Sequence, residues 1–252
     1  RSAGNARVAV ELLRGLASRG LLAPTASGGG LPSTVELGLP PTLTALWEAR
    51  LDAAVRDDPA QGPILEVAAV LGSRVIHAEW AEACAALGLV LSERGIASLL
   101  HGLVLRPGGS HGTYGFVQPT FREAVLRRLT DERRTAVNRA CATVLAARGA
   151  ELDRIGAHLQ DAGDREPAIA ALIRGAAEAG FSGAWIRARM ALDRVEALLG
   201  PDDPRLATVI WMRIERARTA GATDEAFHHV RHLLKLARSS ENPIALVRAL
   251  CQ

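Results

Sequence analysis

The segment spanning residues 96–118 reads IASLLHGLVLRPGGSHGTYGFVQ, and it predicts the fold of the first half of the chain. Its first part spaces apolar residues as one face of an α-helix does, at Ile96, Leu99, Leu100 and Leu103. Two short apolar runs follow, Leu103–Arg106 and Thr113–Gln118, and a stretch rich in glycine and proline separates them. Such a stretch is typical of a turn between strands. The segment therefore predicts a helix followed by a β-hairpin.

Helical patterns flank this segment on both sides. Apolar residues recur at helical spacing in 64–71 and again in 80–87. Three helices before a β-hairpin is the order of a winged helix. Two further helices are predicted after the hairpin, at Pro119–Leu129 and Asp131–Ala147.

From Glu151 onward the pattern predicts a helical solenoid. Apolar faces of helical period recur, and short polar breaks containing glycine separate them. The segments Gly175–Val195 and Gly221–Val230 can be overlaid on the tetratricopeptide template, whose repeat is about 34 residues. We therefore expect a mainly all-α fold, with a winged-helix-like unit carrying a small β-hairpin and then a tetratricopeptide-like α-solenoid.

The expected domain bounds follow from these patterns. Residues 1–41 hold one helix and a linker rich in glycine, proline and serine, and residues 42–149 form the winged-helix-like domain. Residues 150–252 form the helical repeats, which we expect to continue beyond the C-terminus. Trp47, Trp80, Trp185 and Trp211 lie on or beside helical core stripes, and burial is predicted for each.

The amino-acid composition narrows the classes of protein to which this chain could belong. Hydrophobic residues make up 48% of the 252 residues and aromatic residues only 4%, which favours helices over strands. The net charge is +3, with acidic and basic residues interleaved, so no polyanion-binding tail is indicated. Cys84, Cys141 and Cys251 are far apart and odd in number, which argues against a disulfide framework. No signal peptide or membrane-length apolar run is present, and a cytoplasmic protein without membrane partners is predicted.

Two motifs invite a catalytic or metal-binding interpretation, and a third that would bind nucleotide is missing from the sequence. Gly108-x-Ser110-x-Gly112 matches the nucleophile elbow, but it joins two predicted strands instead of a strand and a helix. No P-loop is present. His228 and His232 are four residues apart, yet no further ligand completes a metal site, and the core face of their helix is predicted at Phe227, Val230 and Leu234. We predict no catalytic residue, no metal and no cofactor in this chain.

Nucleic-acid binding is disfavoured for a similar reason. The densest basic stretch, residues 122–139, is interleaved with acidic residues. The predicted recognition helix, Leu91–Leu103, offers only Arg94 and His101 as contacts to DNA.

Several segments carry a family resemblance. They are Gly4-Asn5-Ala6, Leu39-Pro40-Pro41-Thr42-Leu43, Leu65–Gly72, Tyr114-Gly115-Phe116-Val117, Arg122-Glu123, and Asp153–Leu159 followed by Ala162-Gly163-Asp164. In this order they resemble the C-terminal part of bacterial STAND proteins, the signal-transduction ATPases related to AAA+ and AP-ATPases. Within that class, Trp80–Ala86 and Asn138–Cys141 look most like large bacterial Ser/Thr protein kinases that carry an ATPase and tetratricopeptide repeats.

The resemblance implies a role for positions near a bound nucleotide. Residues 1–41 would be the end of the ATPase lid helix and a linker, and ATP or ADP would bind to a domain outside this chain. The family lid reads Gly-Asn-Pro, where this sequence has Asn5 followed by Ala6. The family also has a His shortly after the wing aromatic residue, where this sequence has Gln118. Asn5, Ala6 and Gln118 are therefore degenerate nucleotide-sensing positions.

The function implied is that of a non-catalytic regulatory and protein-interaction region, behind a Ser/Thr protein kinase domain. Its partners would be the ATPase and kinase domains of the same protein, or an acidic peptide. Because arginine predominates on the first helix of each predicted pair, Arg174, Arg213 and Arg216 are the candidate partner-binding residues. The alternative is part of an ATP-dependent transcription regulator that binds DNA through its winged helix or a further C-terminal domain.

Overall fold

A computed structural model describes residues 61–239 continuously. Before residue 61 it describes only short runs, at 10, 23–25, 28–30, 48–49, 51–53, 55–56 and 58–60. The helix predicted near the N-terminus, the start of the helix after Pro41, and Cys251 lie outside the described residues. The described part of the chain is mainly helical with a small amount of strand, as the sequence predicts.

The strands are short. They are β1 (Ala23–Thr25), β2 (Gly28–Gly30), β3 (Val75–Ile76), β4 (Leu105–Pro107) and β5 (Thr113–Phe116). The continuously described helices are α1 (Gln61–Leu71), α2 (His77–Ala86), α3 (Glu93–His101), α4 (Pro119–Arg128), α5 (Asp131–Ala147), α6 (Leu152–Asp161), α7 (Arg165–Phe181), α8 (Trp185–Leu198), α9 (Arg205–Thr219) and α10 (Thr223–Ser239).

The contacts between residues group the chain into two units. Within the described residues, the first unit takes those of 1–77 and 89–128, and the second takes those of 78–88 and 129–239. Nearly all of α2 therefore packs with the second unit, although the segments on either side of it belong to the first. This grouping differs from the predicted bounds 42–149 and 150–252, because α5 packs on α6 and ion pairs join α2 to Arg148 and Arg154.

The first unit contains a three-stranded antiparallel sheet in the order β3-β5-β4. Leu105 pairs with Phe116 in the predicted hairpin, and Val75 pairs with Tyr114 to add the third strand. Helix α1 packs on α4, where Arg122 donates from Nε to the carbonyl oxygen of Ala69 at 2.7 Å. The sheet thus has one strand more than the hairpin predicted from the sequence.

Side-chain caps start two of the helices. The hydroxyl of Ser92 accepts from the backbone N–H of Gly95 at 3.0 Å at the start of α3, and Thr130 does the same with Arg133 at 3.2 Å for α5. Each cap satisfies one of the backbone donors that a helix leaves unpaired at its first turn. The observed bounds of α4 and α5 agree with the predicted ones within one residue.

The second unit is a succession of antiparallel helices from α5 to α10, with α2 added. Helix α6 packs on α5, α7 and α8, and α9 packs on α7, α8 and α10. Two apolar clusters hold these helices together. One contains Ile169, Leu172, Ala176, Ala191, Leu192, Val195 and Val209, and the other contains Ile210, Ile214 and Leu233.

Helices α6 and α7 pack closely because each has a glycine where it contacts the other. A Cβ added to Gly175 would lie 2.2 Å from the backbone nitrogen of Asp153, and one added to Gly156 would lie 2.7 Å from Cγ of Leu172. Neither distance allows a methyl group. The two glycines therefore set how closely the helices approach.

Two predicted core positions are wrong. Trp185, expected in the core, is 39% exposed, and Phe227 is 59% exposed. In α10 the buried residue is Leu233, with Val230 and Leu236 partly buried beside it, because these side chains face Ile210 and Ile214 of α9. Trp80 is fully buried, as predicted.

Candidate functional site

Arg213, one of the three candidate partner-binding residues, lies inside the second unit with only 8% of its side chain exposed. Its guanidinium donates to Asp193 Oδ1 at 2.6 Å and to the two carboxylate oxygens of Glu196 at 2.9 Å each. Burial by itself would lower the pKa of Arg213. The hydrogen bonds that Arg213 donates to the two carboxylates outweigh this effect, so its pKa is raised. Arg213 therefore fastens α9 to α8 through its ion pairs.

Arg216 lies one turn further along α9 and is also largely buried, with 13% of its side chain exposed. It forms an ion pair with Glu225 of α10. Burial is the main cause that lowers its pKa, and the positive charges of Arg213 and Arg189 lower it further. Its Nε atom is buried without a hydrogen-bond acceptor. Arg216 thus connects α9 to α10.

Arg174 differs from the other two because its side chain is exposed on α7. Arg213 and Arg216 are held in ion pairs and are largely buried, whereas Arg174 is exposed. The three candidates therefore do not share one environment. Binding by these residues stays a prediction, and only Arg174 presents its charge to solvent.

The positions that the resemblance relates to a nucleotide, Asn5, Ala6 and Gln118, are only partly described. Asn5 and Ala6 lie outside the described residues. Gln118 is half-buried directly before α4, and its carbonyl oxygen accepts from the backbone N–H of Phe121 at 3.0 Å. Its position places it at the start of that helix, where its backbone contributes to the first turn.

A regular set of hydrogen bonds joins α8 to α6. Arg187 donates from Nε to Asp153 Oδ2 at 3.0 Å, and Arg194 donates from Nη1 to Gln160 Oε1 at 2.8 Å. Both pairs join residues 34 positions apart. Hydrogen bonding to Asp153 raises the pKa of Arg187 despite its partial burial. Arg187 also donates to Glu151, 36 positions away, and Arg194 to Asp161, 33 positions away, so contacts between α6 and α8 join residues 33–36 positions apart. The sequence analysis did not predict these contacts.

A second polar network binds α2 and α5 to α6. Arg154 donates to both carboxylate oxygens of Glu79, at 2.9 Å and 2.6 Å. Beside it, the Nδ1 atom of His158 lies 2.9 Å from Asn138 Oδ1. Burial, with a smaller effect of the Arg154 charge, lowers the pKa of His158 to about 4. His158 is therefore held neutral within the fold.

The structure also locates the remaining motifs, which are a serine-containing turn, a histidine pair and two cysteines. The Gly108–Gly112 turn joins β4 to β5, and the Ser110 hydroxyl lies 3.3 Å from Thr113 Oγ1. His228 and His232 are exposed on α10. Within the residues that the structure describes, no three His, Cys, Asp or Glu side chains gather as metal ligands. Burial raises the pKa of Cys84 and of Cys141 to about 12, so both thiols stay protonated.

An exposed apolar surface appears where α7 turns into α8. We call it the apolar turn surface, and it consists of Phe181, Trp185, Ile186 and Met190. Phe181 is fully exposed, and 70% of Ile186 and 57% of Met190 are exposed. Sequence reasoning assigned Trp185 to the core and did not single out the other three.

In the described part of the chain, no helix is both long enough and apolar enough to cross a bilayer. Comparison of the chain with protein-family models, with curated proteins and with solved structures finds no match. The candidate site is therefore interpreted from its own geometry.

Proposed function

We propose that this chain is a non-catalytic regulatory and protein-interaction region of a STAND-type signalling ATPase, placed behind a Ser/Thr protein kinase domain. The order of its units supports the proposal, because a helical unit with a three-stranded sheet precedes a series of antiparallel helices. In the family that the sequence resembles, a winged helix precedes a repeat superhelix in the same order.

The observation that carries the proposal is the spacing of the hydrogen bonds between α6 and α8, which join residues 33–36 positions apart. This spacing is close to the tetratricopeptide repeat length of about 34 residues. The residues of α6 and α7 also follow the repeat pattern, with Leu152, Ile155, Gly156 and Leu159 on the first helix and Ala168 and Leu172 on the second. In this register α7 is the second helix of its pair, whereas the sequence analysis took α7 and α9 as first helices. Repeats of this kind stack into solenoids whose exposed faces bind proteins.

The charges of the repeats support a binding role over a catalytic one. Most carboxylates of α6, α8 and α9 neutralise arginines of neighbouring helices, as Asp153 does for Arg187 and Asp193 for Arg213. Such pairs fix helix positions and leave no activated base or nucleophile among them. We propose that ATP or ADP binds in a domain outside this chain, and that the chain itself holds no cofactor.

The test is calorimetric titration of the chain with the ATPase and kinase domains of its parent protein. We expect binding that weakens as salt rises, because exposed charge pairs are screened over about 8 Å at physiological ionic strength. Arg174→Glu should weaken it further. Arg218→Glu is the matched control, since Arg218 is an exposed arginine on a neighbouring helix whose charge is paired with Glu215. Absence of binding, or equal binding by both variants at low and high salt, contradicts the proposal.

A second candidate, a DNA-binding transcription regulator, is favoured by the outer face of α3. This helix exposes Arg94, Ser98 and His101, and Arg106 is exposed on the adjoining strand β4. A gel-shift assay distinguishes the two functions. Sequence-selective retardation that survives physiological salt and is lost in Arg94→Ala supports the DNA-binding candidate.

A further inference from the structure

The apolar turn surface concentrates exposed apolar side chains in one place. Of the eight large apolar side chains that are exposed in the described part of the chain, four lie within residues 181–190. Single exposed apolar side chains are common on proteins, whereas a contiguous patch marks an interaction site. Side chains left in water contribute little to the stability of the fold, so their grouping calls for a functional explanation.

The four side chains lie near the turn between α7 and α8. Ile186 and Met190 are four residues apart and share one face of α8. The indole of Trp185 lies 3.9 Å from the position that a Cβ of Gly180 would take, which places it beside the end of α7, and Phe181 is the last residue of that helix. The surface therefore crosses the turn between the two helices and extends for about two helical turns along α8.

The unpaired charge on this face of α8 is positive. Arg189 lies on the exposed side between Ile186 and Met190, and it has no ion-pair partner among the described residues. The carboxylate on the same face, Asp193, is already bound to Arg213. On α7, exposed Arg174 and Glu178 offset each other. A ligand of the surface thus meets apolar side chains next to one available guanidinium.

The size of the surface fits a short partner segment. Its four side chains expose roughly 500 Å² in total, from the usual areas of such side chains. A standard interface buries about 800 Å² on each partner, of which roughly 450 Å² is apolar, so area alone also admits a second copy, which sedimentation tests. One face of a short amphipathic helix, which anchors through residues at i, i+3, i+4 and i+7, matches the patch in length and area.

We propose that the apolar turn surface binds an amphipathic helix of a partner protein, whose apolar face is bordered by carboxylates, and that Arg189 pairs with one of these carboxylates. The inference rests on the proposed function as an interaction region, and it names the chemistry of the partner segment. Burial of the apolar side chains supplies the affinity, and Arg189 supplies the charge preference.

The experiment uses two fluorescein-labelled synthetic helical peptides as probes. Both carry the same leucine face, bordered by Glu in the acidic probe and by Lys in the basic probe, and fluorescence anisotropy measures their binding to the full chain. We expect the acidic probe to bind at least threefold more tightly. Ile186→Asp should weaken the acidic probe at least tenfold, since it removes a large apolar contact. Arg189→Glu should reverse the order of the two probes.

Phe227→Asp is the matched control, because Phe227 is an exposed apolar side chain on another helix of the same unit. It should leave the affinity of both probes unchanged, and circular dichroism verifies that each variant is helical. The proposal is overturned if Phe227→Asp weakens binding as much as Ile186→Asp does, or if Arg189→Glu does not reverse the charge preference. It is also overturned if sedimentation shows a dimer that Ile186→Asp dissociates, because a second copy then occupies the surface.

The two proposals fail separately. If the parent's ATPase and kinase domains do not bind but the probes behave as expected, the proposed function is wrong and the surface assignment stands. If those domains bind and neither probe does, the surface assignment alone is wrong.

Discussion

Replacing Gly175 with alanine should destabilise the second unit, because the new methyl group has no room. Its carbon would lie 2.2 Å from the nitrogen and 2.7 Å from the Cα of Asp153, both backbone atoms. Contacts between non-bonded heavy atoms are most favourable at about 3.5–4.0 Å, so α7 must move away from α6 by about 1 Å. A gap of that size forfeits a quarter to a half of the dispersion energy along the contact.

The clash should lower the free energy of unfolding by about 3 kcal/mol, at the upper end of the usual overpacking range, because the obstacle is rigid backbone. The higher helix propensity of alanine raises it by about 1 kcal/mol, so the net decrease is about 2 kcal/mol. For a chain of this size, that loss lowers Tm by roughly 4–8 °C. Thermal unfolding followed by circular dichroism at 222 nm measures it.

Gly180 offers the matched control in the same helix. A Cβ at Gly180 would meet only a ring carbon of Trp185, at 3.9 Å, which is an ordinary contact. Gly180→Ala should therefore keep the propensity gain and raise the Tm slightly. Equal Tm values for Gly175→Ala and Gly180→Ala would refute the reasoning, because helix propensity alone would then determine stability.

Three further predictions follow from the polar contacts and motifs. Arg213→Ala leaves Asp193 and Glu196 without their shared partner, and it should lower the free energy of unfolding, measured in urea, by about 2 kcal/mol. Arg174→Ala is the control and should change it by less than about 0.5 kcal/mol. The folded state depresses the pKa of His158 from 6.5 to about 4, so the unfolded chain binds more protons between those values. Stability should fall as the pH is lowered from about 6.5 toward 4, and urea midpoints of His158→Gln should lack that part of the pH dependence. Finally, calorimetry should detect no micromolar binding of ATP to this chain, since its sequence contains no P-loop.

The sequence predicts those helices whose limits are set locally. Helix α5 begins after a threonine cap and is followed by glycine, so its bounds need no knowledge of the tertiary fold. Strand β3 has only two residues and shows no alternation, so it is recognisable only by its pairing with β5. The predicted core face of α10 was wrong only at its start. Phe227 is exposed, whereas Val230 packs on the cluster that contains Leu233.

The candidate site was harder to predict than the helices. Arg213 and Arg174 have the same chemistry and similar helical contexts in the sequence. Their environments differ because Asp193 and Glu196 reach Arg213 from another helix, 20 and 17 residues away. Periodicity also placed Trp185 in the core, although the start of α8 leaves it at the surface. Sequence spacing reports which residues share a face, and only the neighbouring helices decide whether that face is covered.

The membership of α2 in the second unit limits how this chain could be divided. A chain beginning at Leu129 would contain every helix from α5 onward but would lack Trp80 and Cys84, which are fully buried. It would also lack Glu79, and Arg154 would lose its carboxylate partner. The helices from α5 onward therefore do not form a complete packed unit by themselves. Any expressed or inherited segment that holds the second unit intact must also include residues 78–88.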